Sequence, residues 1–76
     1  MTGVQWAVLS AYARTLPAGP ERRALRALIL QHTPARQGVA LVTAAGLGFL
    51  KAGELTPAGE VEARAFLRRR SGGQWT

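Results

Sequence analysis

The side chains with the most capacity for chemistry in this sequence are its arginines, nine of the ten cationic residues, set against four glutamates for a net charge of +6. A guanidinium is a planar fork of donors that meets phosphate or carboxylate oxygens two at a time and stays charged at physiological pH. The chemistry on offer is anion recognition. Arg22, Arg23 and Arg26 form one group, Arg22 and Arg26 one helical step of four residues apart, with only Glu21 beside them. Arg64, Arg68, Arg69 and Arg70 form a second group, while Arg36 and Lys51 stand alone. Glu60 precedes Arg64 in the order that favours a local ion pair, worth about 0.3 to 0.5 kcal/mol. Arginines clustered at a helix end also complement the helix dipole, and an Ala-, Gly- and Arg-rich composition can produce basic faces that only meet solvent.

Catalytic chemistry has no comparable foothold. The chain has no cysteine and a single histidine, His32, so neither a thiolate site nor a zinc site can be assembled from the usual ligands. No pair of carboxylates and no Ser/His/Asp set is spaced for proton transfer or nucleophilic attack. Gly46 and Gly48 make a G-x-G, but no Ser or Thr follows Lys51 to complete a phosphate-binding loop. The expectation is a non-enzyme that holds no cofactor and no metal and acts on no small-molecule substrate. Its anionic partner would be duplex DNA or an acidic protein surface, and self-association is compatible with either.

The elements that position these residues follow from punctuation and periodicity. Seventy-six residues, 47% hydrophobic and 18% charged, make one folded domain with a small core. Thr2 can cap a first helix running roughly from Val4 to Thr15, with Val8, Leu9, Tyr12 and Leu16 on one face. Trp6 lies elsewhere on the wheel, where it either extends the core or serves as an exposed anchor for a partner. Pro17, Gly19 and Pro20 break that helix. Pro20 then opens a second, with Leu25, Leu28 and Ile29 inward and Arg22, Arg23 and Arg26 outward.

Thr33 and Pro34 read as the cap and first position of a third segment. Val39 to Thr43 is β-branched enough for a buried strand, yet the flanking alanines favour a helix ending near Gly46 as its C′ glycine, and that is the reading adopted. Phe49 to Thr56 reads as a very short hairpin turning at Ala52-Gly53. Thr56 and Pro57 then start a last helix, Ala58 to Arg70, with Ala63, Phe66 and Leu67 on its inner face. Residues 71–76 form a Gly-Gly tail carrying Trp75, a second candidate for partner contact. The apolar run from Gly38 to Leu50 stops well short of the roughly 20 residues needed to span a bilayer. Met1 to Leu16 lacks the marks of a signal peptide, so a cytoplasmic location is expected.

Two short motifs in this order, Gly48-Phe49-Leu50 before the turn and Leu55-Thr56-Pro57-Ala58-Gly59 after it, resemble the wing of small bacterial and phage winged-helix regulators. The resemblance covers residues 33–70. It implies a mainly α, α+β domain over residues 1–70, with three to four short helices and a minimal β-hairpin wing; an all-α bundle is the alternative. It further implies transcription regulation through duplex DNA, with the third segment as recognition helix offering Arg36, Gln37 and Thr43, Lys51 on the wing, and Arg64, Arg68, Arg69 and Arg70 on phosphates. The third segment is poor in polar groups compared with the groove-facing helices of that family. The competing reading is an interaction module, of phage or mobile-element type, that docks on an acidic partner or on copies of itself. For that reading the candidate contacts are Arg22, Arg23, Arg26, Trp6 and Trp75.

Overall fold

The computed structural model describes residues 1–71, so the tail from residue 72 and Trp75 within it lie outside the described residues. The chain is mainly helical: α1 (Gly3–Thr15), α2 (Pro20–Gln31), α3 (Gln37–Gly46), β1 (Leu50–Lys51), β2 (Glu54–Leu55) and α4 (Pro57–Ser71). The two strands form one antiparallel sheet, with Leu50 opposite Leu55 and Lys51 opposite Glu54.

α1 is the hub. Its start is fixed by a capping box in which the Gln5 N–H donates to Thr2 Oγ1 at 3.1 Å and the Thr2 N–H donates to Gln5 Oε1 at 2.8 Å. Helices α2, α3 and α4 each rest on α1, and among the described residues no other pair of helices packs so extensively. Being surrounded on three sides, α1 is buried nearly all round: Trp6, Ala7, Val8, Leu9, Ala11, Tyr12 and Ala13 all belong to the core. Trp6 is therefore a core residue, and the exposed-anchor role considered for it is excluded by its 8% exposure. Its indole N–H has no hydrogen-bond partner among the described residues, so apolar burial alone holds the ring.

The other helices bury narrow stripes. α2, opened by Pro20 after Gly19, contributes Leu25 and Ile29 with Leu28 half-buried. α4 contributes Ala63 and Leu67, with Phe66 half-buried, whereas Val61 stays exposed. α3 contributes only Ala40 and Ala44. It lies so close to α1 that a Cβ on Gly3 would sit 3.2 Å from the Ala40 Cβ. Small side chains on both helices are what allow that approach.

Two boundaries differ from the sequence reading. α3 begins at Gln37 with Arg36 as its N-cap, four residues after Thr33. The Thr33 hydroxyl donates back to the carbonyls of Ile29 and Leu30 at the end of α2, so it is spent on closing one helix rather than opening the next. The glycine that ends α3 in the left-handed region is Gly48, at φ +86°, and not Gly46. The Gly48 N–H donates to the Ala45 carbonyl and the Phe49 N–H to the Ala44 carbonyl, both at 3.0 Å, which is the paired bonding of a Schellman stop.

Candidate functional site

The hairpin is built into the body by a joint at its base. Thr56 caps α4, accepting from the Gly59 N–H at 3.0 Å, and its hydroxyl also donates to the Gly48 carbonyl at 2.6 Å. Its own N–H donates to the Phe49 carbonyl at 3.0 Å. One residue thus ties together the stop of α3, the entry to β1 and the start of α4. Gly59 completes the joint, because a Cβ there would overlap the Phe49 carbonyl oxygen and lie 2.8 Å from Leu55 Cδ1. The glycine of the Leu-Thr-Pro-Ala-Gly motif is required by this close approach of backbone to backbone.

At the far end of the hairpin Ala52 and Gly53 both have positive φ, +52° and +80°, the pattern of a type I′ turn. Gly53 adopts this freely, but Ala52 is strained by about 1 to 2 kcal/mol. Arg14, on the last turn of α1, holds the tip: its Nη2 donates to the Gly53 carbonyl at 2.9 Å. The sequence reading missed this role, and the only local signal was a lone charged residue on an otherwise uncharged helix. Lys51 is exposed on β1 across from Glu54.

α3 stands proud of the domain. Ala40 and Ala44 define its inner side, so at about 100° per residue the opposite crest is formed by Gly38, Val42 and Gly46, flanked by Val39 and Ala45. No side chain on that crest can hydrogen-bond. Gln37 and Thr43 are exposed, but they lie on the two flanks, on either side of the buried stripe, and the Thr43 hydroxyl donates to the Val39 carbonyl at 2.8 Å. Arg36 is exposed at the N-terminal end. The structure therefore sets Gln37 and Thr43 on opposite sides of the buried stripe of α3.

The arginines divide by whether they have a partner. Arg64 is paired with Glu60 at 2.7 Å, and Arg69 lies 3.9 Å from Glu62. A hydrogen bond to Tyr12 and then the charge of Glu60 hold the Arg64 guanidinium above its ordinary pKa. Arg22, Arg23, Arg26, Arg36, Lys51, Arg68 and Arg70 have no ion pair among the described residues. Arg22 is half-buried and the rest are exposed. Arg26 and Arg14 border a common open groove of about 310 Å³ between α1 and α2, floored by Ala13 and Ile29. Among the described residues no three His, Cys, Asp or Glu side chains converge to hold a metal, and no helix is long and apolar enough to cross a membrane.

The arrangement can bind anions through unpaired guanidinium groups and can bury apolar surface on α3. No protein-family model, no curated protein and no solved structure matches the chain.

Proposed function

We propose that this chain is a small DNA-binding protein of winged-helix-like build, gripping the duplex mainly through phosphate contacts and serving as a regulator or mobile-element accessory factor. The observation that carries the reading is the set of exposed cations without acidic partners among the described residues, Arg23, Arg26, Arg36, Lys51, Arg68 and Arg70, on a chain of net charge +6. Charges left unpaired on a folded surface cost nothing in desolvation and are ready to displace counterions from a polyanion. The order helix, helix, helix, hairpin, helix, with the hairpin joined to the end of α3, supports the winged-helix comparison. The crest of α3 offers the bases no hydrogen-bonding side chain, so the reading rests on phosphate contacts.

The test is fluorescence anisotropy with a random-sequence duplex over a range of salt. If about six phosphates are contacted, the log–log slope of affinity against salt should be near −5. Binding that is weak and indifferent to salt would overturn the proposal.

A second reading, an interaction module, is favoured by a different observation: residues 37–50 carry no charge, and Val42 on α3 is 73% exposed. Neutral apolar surface at the centre of a contact is what protein interfaces favour. A stoichiometric protein partner that persists after nuclease treatment would support it.

A further inference from the structure

We infer that the groove between α1 and α2 is the docking site for an acidic, aliphatic segment of a partner protein, with Arg14 and Arg26 on its carboxylates. The inference rests on the interaction-module reading for the existence of a protein partner. It places the contact away from α3 and uses no part of the DNA-binding reading.

Two columns of side chains at four-residue spacing make the groove. Ser10 and Arg14 come from α1, Arg26 and Leu30 from α2, and Ala13 and Ile29 floor the space of about 310 Å³ between them. Leu30 is 76% exposed, so the apolar side of the groove meets water in the free chain. Covering it is worth about 25 cal/mol per Å². No acid lines the groove, and neither Arg14 nor Arg26 has an ion pair among the described residues. Glu54 borders the adjoining groove, between α1 and the hairpin, without forming an ion pair to Arg14. Arg22, one step of four before Arg26, adds to the positive potential. The charge this groove complements is negative.

Arg14 is also positioned in advance. Its Nη2 donates to the Gly53 carbonyl at 2.9 Å, which holds the guanidinium in place and leaves its other N–H donors for a ligand. A side chain already fixed loses less freedom when a partner binds. Two guanidinium groups suit a carboxylate or a phosphate equally, and the rest of the lining separates the two. The Ser10 hydroxyl donates its proton to the Trp6 carbonyl at 2.8 Å, so towards a ligand its oxygen is an acceptor. A peptide N–H can supply the donor it lacks, whereas the phosphodiester backbone of DNA carries none. Ala13, Ile29 and Leu30 match an aliphatic side chain set between acids, which a phosphate chain does not offer.

Amide NMR titration of the full chain with a blocked peptide, two leucines between two glutamates, tests the assignment. Saturable shifts should appear at Ser10, Ala13, Arg14, Arg26 and Leu30, with a dissociation constant on the order of a millimolar or tighter. Changing the peptide's glutamates to glutamine, or its leucines to serine, should each weaken binding by about fivefold or more. These peptide changes leave the protein's fold untouched. Leu30→Ser and Arg14→Gln, both at exposed positions, should have effects of similar size on peptide affinity, and Leu30→Ser should leave duplex affinity unchanged. Peptide shifts on α3 with the groove silent would preserve the interaction-module reading and overturn this inference. Shifts spread over all the cations and indifferent to loss of the leucines, or no saturable binding, overturn it as well. So does a duplex affinity that falls in Leu30→Ser, since the groove would then serve DNA.

Discussion

The same chemical change, one added methyl, should have opposite effects at two glycines of this chain, and the difference can be worked from the structure. At Gly59 the new Cβ would overlap the Phe49 carbonyl oxygen and press on Leu55 Cδ1. The carbonyl is main chain, fixed at the entry to β1 and accepting from the Thr56 N–H, so it can retreat only by moving the hairpin or giving up that bond. Overpacking of this kind costs about 1 to 3 kcal/mol, and the weakened hydrogen bond adds about 1 kcal/mol. The helix propensity of alanine returns at most about 1 kcal/mol. The net loss for Gly59→Ala is about 2 kcal/mol, a fall of about 10 °C in Tm for a domain of this size. At Gly46 the Cβ meets nothing within 4 Å, so only the propensity gain remains and Gly46→Ala should stabilise by about 0.5 kcal/mol. Urea and thermal unfolding followed by circular dichroism give both values. A Gly59→Ala protein within 0.5 kcal/mol of wild type would refute the account of the joint.

Ala52→Asn, which relieves an alanine held at φ +52° in the hairpin turn, should stabilise the domain by about 1 kcal/mol, measured by the urea midpoint at constant slope. Thr56→Val deletes the cap of α4 and the bond to the Gly48 carbonyl together and should cost about 1 to 2 kcal/mol in the same assay. Arg14→Ala removes a surface hydrogen bond to the Gly53 carbonyl. It should change global stability by less than about 1 kcal/mol while hydrogen exchange at Lys51 to Leu55 speeds up, and unchanged exchange there would show that the arginine does not hold the tip. Replacing Arg23, Arg26 and Arg36 together with glutamine should lower duplex affinity and reduce the steepness of the salt dependence by about three units on the log–log slope.

Local punctuation carried most of the element order. Thr2, the Pro17 to Pro20 break and the Phe49 to Thr56 turn all mark boundaries through chemistry within a few residues, and those boundaries appear in the structure. What stayed hidden depends on distant neighbours. The single apolar face assigned to α1 understated its burial, because a helix enclosed by three others buries Ala7, Ala11 and Ala13 as well, and alanine carries little periodic signal. Thr33 looked like a cap for the following helix because the use of its hydroxyl by Ile29 and Leu30 cannot be read from residue types alone. Gly48 and Gly46 are equivalent as letters, and only backbone angles distinguish the stop from the crest. The link from Arg14 to Gly53 spans 39 residues, beyond the reach of any local pattern. Of the candidate contacts, the isolation of Arg22, Arg23 and Arg26 from acids was legible in the composition of α2. The separation of Gln37 from Thr43 across α3 became visible only once Ala40 and Ala44 fixed its inner side.

The central claim is that the cations without an ion pair among the described residues hold a polyanion through its phosphates. A two-dimensional amide NMR titration with a random-sequence duplex at low and high salt tests it directly. The account predicts that the duplex shifts resonances around Arg23, Arg26, Arg36 and Lys51 and that salt reverses those shifts. Duplex-induced shifts confined to Gly38, Val42 and Gly46, with the arginine-bearing positions unmoved, would contradict it.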